Sequence, residues 1–252
     1  MRIDAPSPVH VPPLRELWQD AFGDSEEFLD LFFTFGFSPE CCRCVFQEDT
    51  PVAAAYWFDC TLEGRKIAYL YAVATLTSHR GRGLCRLLMA DIHRVMAEQG
   101  YCAAVLVPQS EGLRQMYHRM GYRDAGSHRA FSCTAASLPV PLRAIAPEEF
   151  ARRRRDLLPK GGVLQEGRNL AFLSHLAEFY EGAGFLMAAC REGHCLIVPE
   201  YLGDPSLCSG ILCSLGCETG SFRCPGGDTP FAMALPLQEN APEIAYFGFA
   251  FD

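Results

Sequence analysis

The sequence predicts a fold of the mixed α/β class (α+β, mixed sheet) built in two halves, and three observations carry that reading. Residues 69–88 pass from an apolar, β-prone run through a polar turn and Arg80-Gly81-Arg82-Gly83 into an amphipathic helical stretch. Helical and strand periodicities alternate on either side of this stretch, along residues 11–132. Residues 135–142, Ala-Ala-Ser-Leu-Pro-Val-Pro-Leu, have the composition of a linker, and a second series of helix and strand patterns follows them.

Taken in order, residues 11–37 read as two helices. Leu14, Leu17, Trp18, Ala21 and Phe22 recur at helical spacing, and Asp24-Ser25-Glu26-Glu27 signals the start of a second helix carrying Phe28, Leu31 and Phe32. Ser38-Pro39 ends it. Residues 44–46 and 52–58 flank the polar turn 47–51 as a β-hairpin, a further turn falls at 62–66, and residues 67–74 form the next strand. After the glycines, Leu84, Leu87, Leu88, Ile92, Val95 and Met96 share one helical face, closed by Gln99-Gly100. Residues 102–107 are a buried strand, 113–120 a helix, and Tyr122 opens a strand that includes 130–132. The second half reads as helices over 148–158 and 170–180, a helix across 205–215, and strands at 185–189, 195–198, 221–224, 231–237 and 244–251. Its helices followed by a hairpin around 191–194 echo the first half, as a worn second copy would.

Composition narrows the function. The chain has 252 residues, 49% of them hydrophobic, which is globular. No apolar run reaches the roughly 18–20 residues of a membrane span, and residues 1–8 have no apolar core of a signal peptide, so a cytoplasmic protein without membrane contact is expected. A net charge of −8 argues against nucleic-acid binding, and Arg152-Arg153-Arg154-Arg155 reads as the solvated side of a helix. Thirteen cysteines include the clusters Cys41, Cys42, Cys44 and Cys208, Cys213, Cys217, Cys224. Their spacings match no common zinc pattern, so they read as buried reduced thiols and no metal is expected.

A strand feeding a glycine-rich turn at a helix N-terminus is a nest of backbone N–H groups suited to a pyrophosphate. The run Arg80-Gly81-Arg82-Gly83-Leu84-Cys85, together with Tyr117 four residues before Gly121-Tyr122, resembles the GNAT superfamily of acyl-CoA-dependent N-acyltransferases. The family's phosphate loop is Arg/Gln-x-x-Gly-x-Gly/Ala, and Cys85 stands where a glycine or alanine is usual. The resemblance covers residues 1–135, and Val73-Ala74-Thr75 with His79-Arg80 looks most like the enhanced-intracellular-survival-type branch, whose members carry extra C-terminal domains. It implies an acyl-CoA-binding GNAT domain over 1–135, a linker at 136–146, and a C-terminal α/β domain over 147–252, read as a degenerate GNAT-like repeat with no phosphate loop of its own.

The resemblance also implies roles. Acetyl-CoA would be the co-substrate, its pyrophosphate held by Arg80, Gly81, Arg82, Gly83, Leu84, Cys85 and Arg86, and its pantetheine arm by the main chain of Val73, Ala74 and Thr75. Tyr117 would be the general acid to the leaving thiolate. Ser110 falls where relatives place an asparagine on the cofactor arm, and equally where a helix N-cap is wanted. The base stays open between water, Asp59, Glu63, His79 and His118. By the same resemblance, Asp252 could lend its terminal carboxylate. The acceptor is expected to be a primary amine, a small molecule or a lysine, with the acidic balance favouring a cationic one such as an aminoglycoside-like or polyamine-like compound or a lysine. The competing readings are an acyl-CoA-binding sensor or scaffold and a transferase of another acyl group. The oligomeric state is open, a dimer included.

Overall fold

The computed structural model describes residues 1–227 and 229–250. The first half begins with β1 (Arg2–Asp4), α1 (Val11–Phe22) and α2 (Glu26–Leu31). α1 stops at Gly23, whose φ of 73° suits a left-handed C-cap, and Ser25 caps α2 by accepting from the Phe28 N–H at 3.3 Å. A π-helical turn, Phe32–Gly36, continues α2. Then β2 (Cys42–Gln47), β3 (Thr50–Leu62) and β4 (Arg65–Thr75) run as an antiparallel meander. α3 (Leu84–Glu98), β5 (Ala103–Leu106), α4 (Glu111–His118) and the long β6 (Arg123–Thr134) follow. The second half comprises β7 (Leu142–Ile145), α5 (Pro147–Leu157), β8 (Leu164–Gln165), α6 (Gly167–Leu173), β9 (Glu178–Gly182), β10 (Phe185–Glu192), β11 (Cys195–Gly203), α7 (Cys208–Leu215), β12 (Thr219–Pro225) and β13 (Thr229–Pro236).

Among the described residues all thirteen strands join one mixed sheet, in the order β1-β2-β3-β4-β5-β13-β6-β12-β11-β10-β9-β7, with β8 paired to β3. Only β4 with β5 and β11 with β12 run parallel. β13, the last strand in sequence, lies between β5 and β6 and pairs with both, Ala234 opposite Val105 and Arg123. On one face α1, α2, α5 and α6 cover the sheet through a core holding Trp18, Phe32, Phe58, Phe150 and Phe172. On the other face α3 and α4 pack through Leu84, Leu88, Ile92, Met96 and Tyr117, and α7 packs through Ile211 and Leu212.

Several expectations change. Residues 170–180 are not one helix: α6 stops at Leu173 and β9 begins at Glu178, where Phe179 and Tyr180 pair with Ala188 and Met187 of β10. Residues 244–250 are not a strand but an irregular buried segment with a single bridge, Tyr246 to Gly162. Consecutive Tyr246 and Phe247 are both buried, and a strand with one covered face would expose every second residue. Leu87, counted on the apolar face of α3, is 52% exposed, and Met89 takes its place in the core. The arginine run of α5 is not wholly solvated. Arg154 is buried on Glu200, with Nε and Nη2 at 2.5 and 2.9 Å from the carboxylate oxygens, while Arg152, Arg153 and Arg155 are exposed in ion pairs. Arg154 also donates to Gln165 Oε1 at 3.2 Å, and Gln165 Nε2 donates to the Phe249 carbonyl at 2.5 Å, so this buried network ties β8 to the 244–250 segment. The thirteen cysteines are unbridged, and no helix among the described residues is long and apolar enough to cross a membrane.

Candidate active site

The site is built on a defect in β4. In the β3–β4 register Ala54 faces Ala74 and Tyr56 faces Tyr71, so Ala72 and Val73 together stand opposite Ala55. This is a β-bulge, and Ala72 takes a φ of 50°, sparsely populated for a non-glycine residue. The bulge turns β4 away from β5. Their parallel pairing covers only Ile67 to Tyr69 against Ala103 to Val105. Beyond that point the strands part, and among the described residues no strand pairs residues 70–75 on the β5 side. Among the described residues, the main chain of residues 72–75 thus has no strand neighbour on that side.

A cleft of about 120 Å³ occupies the gap. One wall is Tyr69 to Val73 of β4, the other Leu106 to Gln109 after β5. α4 contributes Leu113 and Tyr117 from one face of the sheet, while Trp18, Phe22 and Asp24 reach it from the other. Tyr117 is 6% exposed, its ring edge-on to Tyr122 at 5.6 Å. Burial, helped by the nearby Cys85, pushes its phenol well above the usual range, so it keeps its proton at neutral pH. Ser110 accepts from the Leu113 N–H at 3.2 Å as the N-cap of α4, and the neighbour that lines the cleft is Gln109.

The glycine loop continues from the end of β4. Thr77 N–H donates to Asp20 Oδ2 of α1 at 2.6 Å, and this backbone hydrogen bond holds the Asp20 carboxyl below the ordinary range. Arg80 Nε donates to the Thr75 carbonyl at 3.2 Å and Arg82 Nη2 to the Ser78 carbonyl at 3.0 Å. Gly81 and Gly83 both have φ near 76°, and a Cβ on either would meet no atom within 4 Å. Gly83 is the N-cap of α3, and no side chain caps that helix. The loop is therefore an open nest at the positive end of a 15-residue helix, which suits an anion such as a pyrophosphate. Leu84 turns into the core and Arg86 is exposed, while Cys85 is partly buried with its thiol pushed up by that burial.

A family profile described as an acetyltransferase (GNAT) domain matches residues 3–125. Residues 3–125 are a GNAT acetyltransferase domain. Solved structures share its fold over nearly the whole chain. A GCN5-related N-acetyltransferase from Anabaena variabilis is 14% identical with a TM-score of 0.75, covering 94% of this chain and 73% of its own. One from Kribbella flavida is 17% identical with a TM-score of 0.72, covering 95% and 73%. Eis1 from Mycobacterium abscessus is 13% identical with a TM-score of 0.69, covering 94% and 74%. Comparison with curated proteins gives no match.

Within the GNAT domain, Val73 and Tyr117 line one cleft, and Ala74, Thr75 and residues 80–86 continue from it along β4 into α3. The groups weighed as bases stand elsewhere. Asp59 pairs with Lys66 at 3.3 Å and accepts from Tyr101, His118 bonds the Tyr122 carbonyl at 3.0 Å, and neither Glu63 nor His79 lines the cleft. Asp252 lies outside the described residues. The cleft's carboxylate is Asp24, which the sequence showed only as a helix-start residue. Trp18 was legible only as part of an apolar face, and nothing in the residue type marked Ala72 as the bulge.

Proposed function

We propose that this protein transfers an acetyl group from acetyl-CoA to a primary amine, on a small molecule or a lysine side chain. What supports the reading most is the bulge at Ala72 and Val73, which opens bare β4 main chain beside Tyr117 and in line with the open glycine nest. The main-chain N–H groups of residues 81–85 would hold the pyrophosphate, with Arg80 and Arg82 adding charge. Residues 73–75 would pair with the pantetheine arm as an added strand does. Acetyl-CoA supplies the activated thioester. The amine nitrogen attacks the thioester carbonyl carbon, a C–N bond forms, and the C–S bond breaks. Tyr117 gives its phenolic proton to the departing sulfur and regains one from water, and the extra proton on nitrogen leaves to water.

The test is release of free CoA thiol from acetyl-CoA across an amine library, with calorimetric titration of acetyl-CoA alongside. Tyr117→Phe should lower kcat about 100-fold or more while acetyl-CoA affinity stays within about twofold. Equal losses in both would make Tyr117 a structural residue. Acetyl-CoA binding without thiol release on any amine would replace transfer by sensing.

A further inference from the structure

Resting on the transfer reading above, we infer that the acceptor is a monoamine carried on an aromatic or similarly flat apolar body, with Asp24 receiving its ammonium. The α1 side of the cleft is where an acceptor must approach, because α4 and the glycine loop occupy the other face. That side is walled by rings. Trp18 is 2% exposed and packs on Phe32, Tyr56 and Tyr71 at 4.5, 5.4 and 6.0 Å between ring centres. Tyr69 and Tyr71 line the cleft itself, and Phe247 backs Tyr69 edge-on at 4.7 Å. Phe22, 38% exposed, forms an aromatic lip at the opening.

Into this wall the fold sets one carboxylate. Trp18 Nε1 donates to Asp24 Oδ2 at 2.7 Å, which fixes the side chain and leaves Oδ1 for a cation. A carboxylate among aromatic faces is an ammonium site by charge and by cation–π attraction together. No second acidic side chain lines the cleft among the described residues, so the further ammoniums of a polyamine or an amino sugar would be desolvated there without a partner. The overall charge of −8 would attract any cation, but the cleft is selective where the surface is not. Asp24 binds the ammonium on entry, and attack follows once the amine has lost its proton to water, so Asp24 acts on KM.

The experiment compares kcat/KM, by thiol release from acetyl-CoA, for 2-phenylethylamine and tryptamine against spermidine and kanamycin. Both aryl amines should exceed both polycations by about tenfold or more. Asp24→Asn should raise KM for 2-phenylethylamine about tenfold with kcat within about twofold and acetyl-CoA affinity unchanged. Trp18→Phe, which keeps a ring and removes the N–H donor, should raise KM by a smaller factor. Transfer that favours spermidine or kanamycin, or an Asp24→Asn enzyme with unaltered KM, overturns the inference and leaves the transfer reading standing. No transfer to any of the four and none across a wider amine library, despite tight acetyl-CoA binding, removes the transfer reading and this inference with it.

Discussion

Gly83→Ala separates a glycine that serves a ligand from one that serves packing. At Gly83 the left-handed φ of 76° costs an alanine about 1–2 kcal/mol, partly offset because alanine also restricts the unfolded chain. The new methyl meets no atom within 4 Å, so overpacking adds nothing. A net loss of about 1 kcal/mol shifts Tm by about 2–4 °C in a chain of this size. The methyl does, however, stand in the open space before the α3 N-terminus, where it would hold a phosphate away from the main chain. Losing two charge-assisted hydrogen bonds at about 1.5–3 kcal/mol each weakens binding about 100-fold to 10,000-fold. Gly126→Ala is the control. Its φ is 63°, and its Cβ would fall 3.0 Å from the Phe247 nitrogen and 3.1 Å from the Phe247 Cβ, so stability falls while the nest is untouched. Titration calorimetry with acetyl-CoA and scanning calorimetry on both variants decide it. If Gly83→Ala binds acetyl-CoA like the parent, or loses no more affinity than Gly126→Ala, the loop is not the phosphate site.

Asp20→Ala removes the acceptor of the Thr77 N–H that leads into the loop, and should weaken acetyl-CoA about fivefold with Tm nearly unchanged; unaltered affinity in the titration would show that the loop needs no latch from α1. Arg154→Leu strands Glu200, whose side chain is fully buried, and should cost about 3–5 kcal/mol, whereas Arg154→Leu/Glu200→Leu recovers most of it; identical melting of single and double variants would refute the pair as the cause. His93, hydrogen-bonded to the Tyr122 hydroxyl at 2.8 Å, has its pKa lowered by burial from 6.5 to about 4. Its neutral form is the one the fold prefers, so its contribution is complete above about pH 6.5 and is lost as pH falls toward about 4. His93→Gln should flatten that part of a urea-denaturation pH series, and an unchanged slope would assign the acid sensitivity elsewhere.

The first half was legible because its signals are local. Helical periodicity around Trp18, the polar hairpin turn at Glu48-Asp49 and the spacing of Gly81, Gly83 and Tyr117 each depend on neighbours within a few residues. Ser110 was ambiguous for the same reason: an N-cap and a ligand contact ask for the same short polar side chain, and here it caps α4. The bulge was not legible, since alanine has no preference for a φ of 50° and Ala72 takes it only because the flanking registers on β3 force it. Nor was Asp24, whose role comes from Trp18 six positions away folding its indole N–H back onto it.

The place of β13 is the least local feature and bears most directly on the cleft. β4 can part from β5 only if β5 is held from its other edge, because three parallel pairs do not fix a strand. β13 supplies that hold, with Met233 through Pro236 antiparallel to Leu106 through Ala103, and carries it on to β6. The far wall of the cleft is therefore braced by a strand from beyond residue 228, more than 120 positions later in the chain than β5. The buried segment that follows adds a second brace, since Phe247 packs on Tyr69 and Gln165 holds the Phe249 carbonyl. A sheet that opens along one edge of a strand loses paired backbone there, and in this chain the second half restores pairing along the other edge of β5.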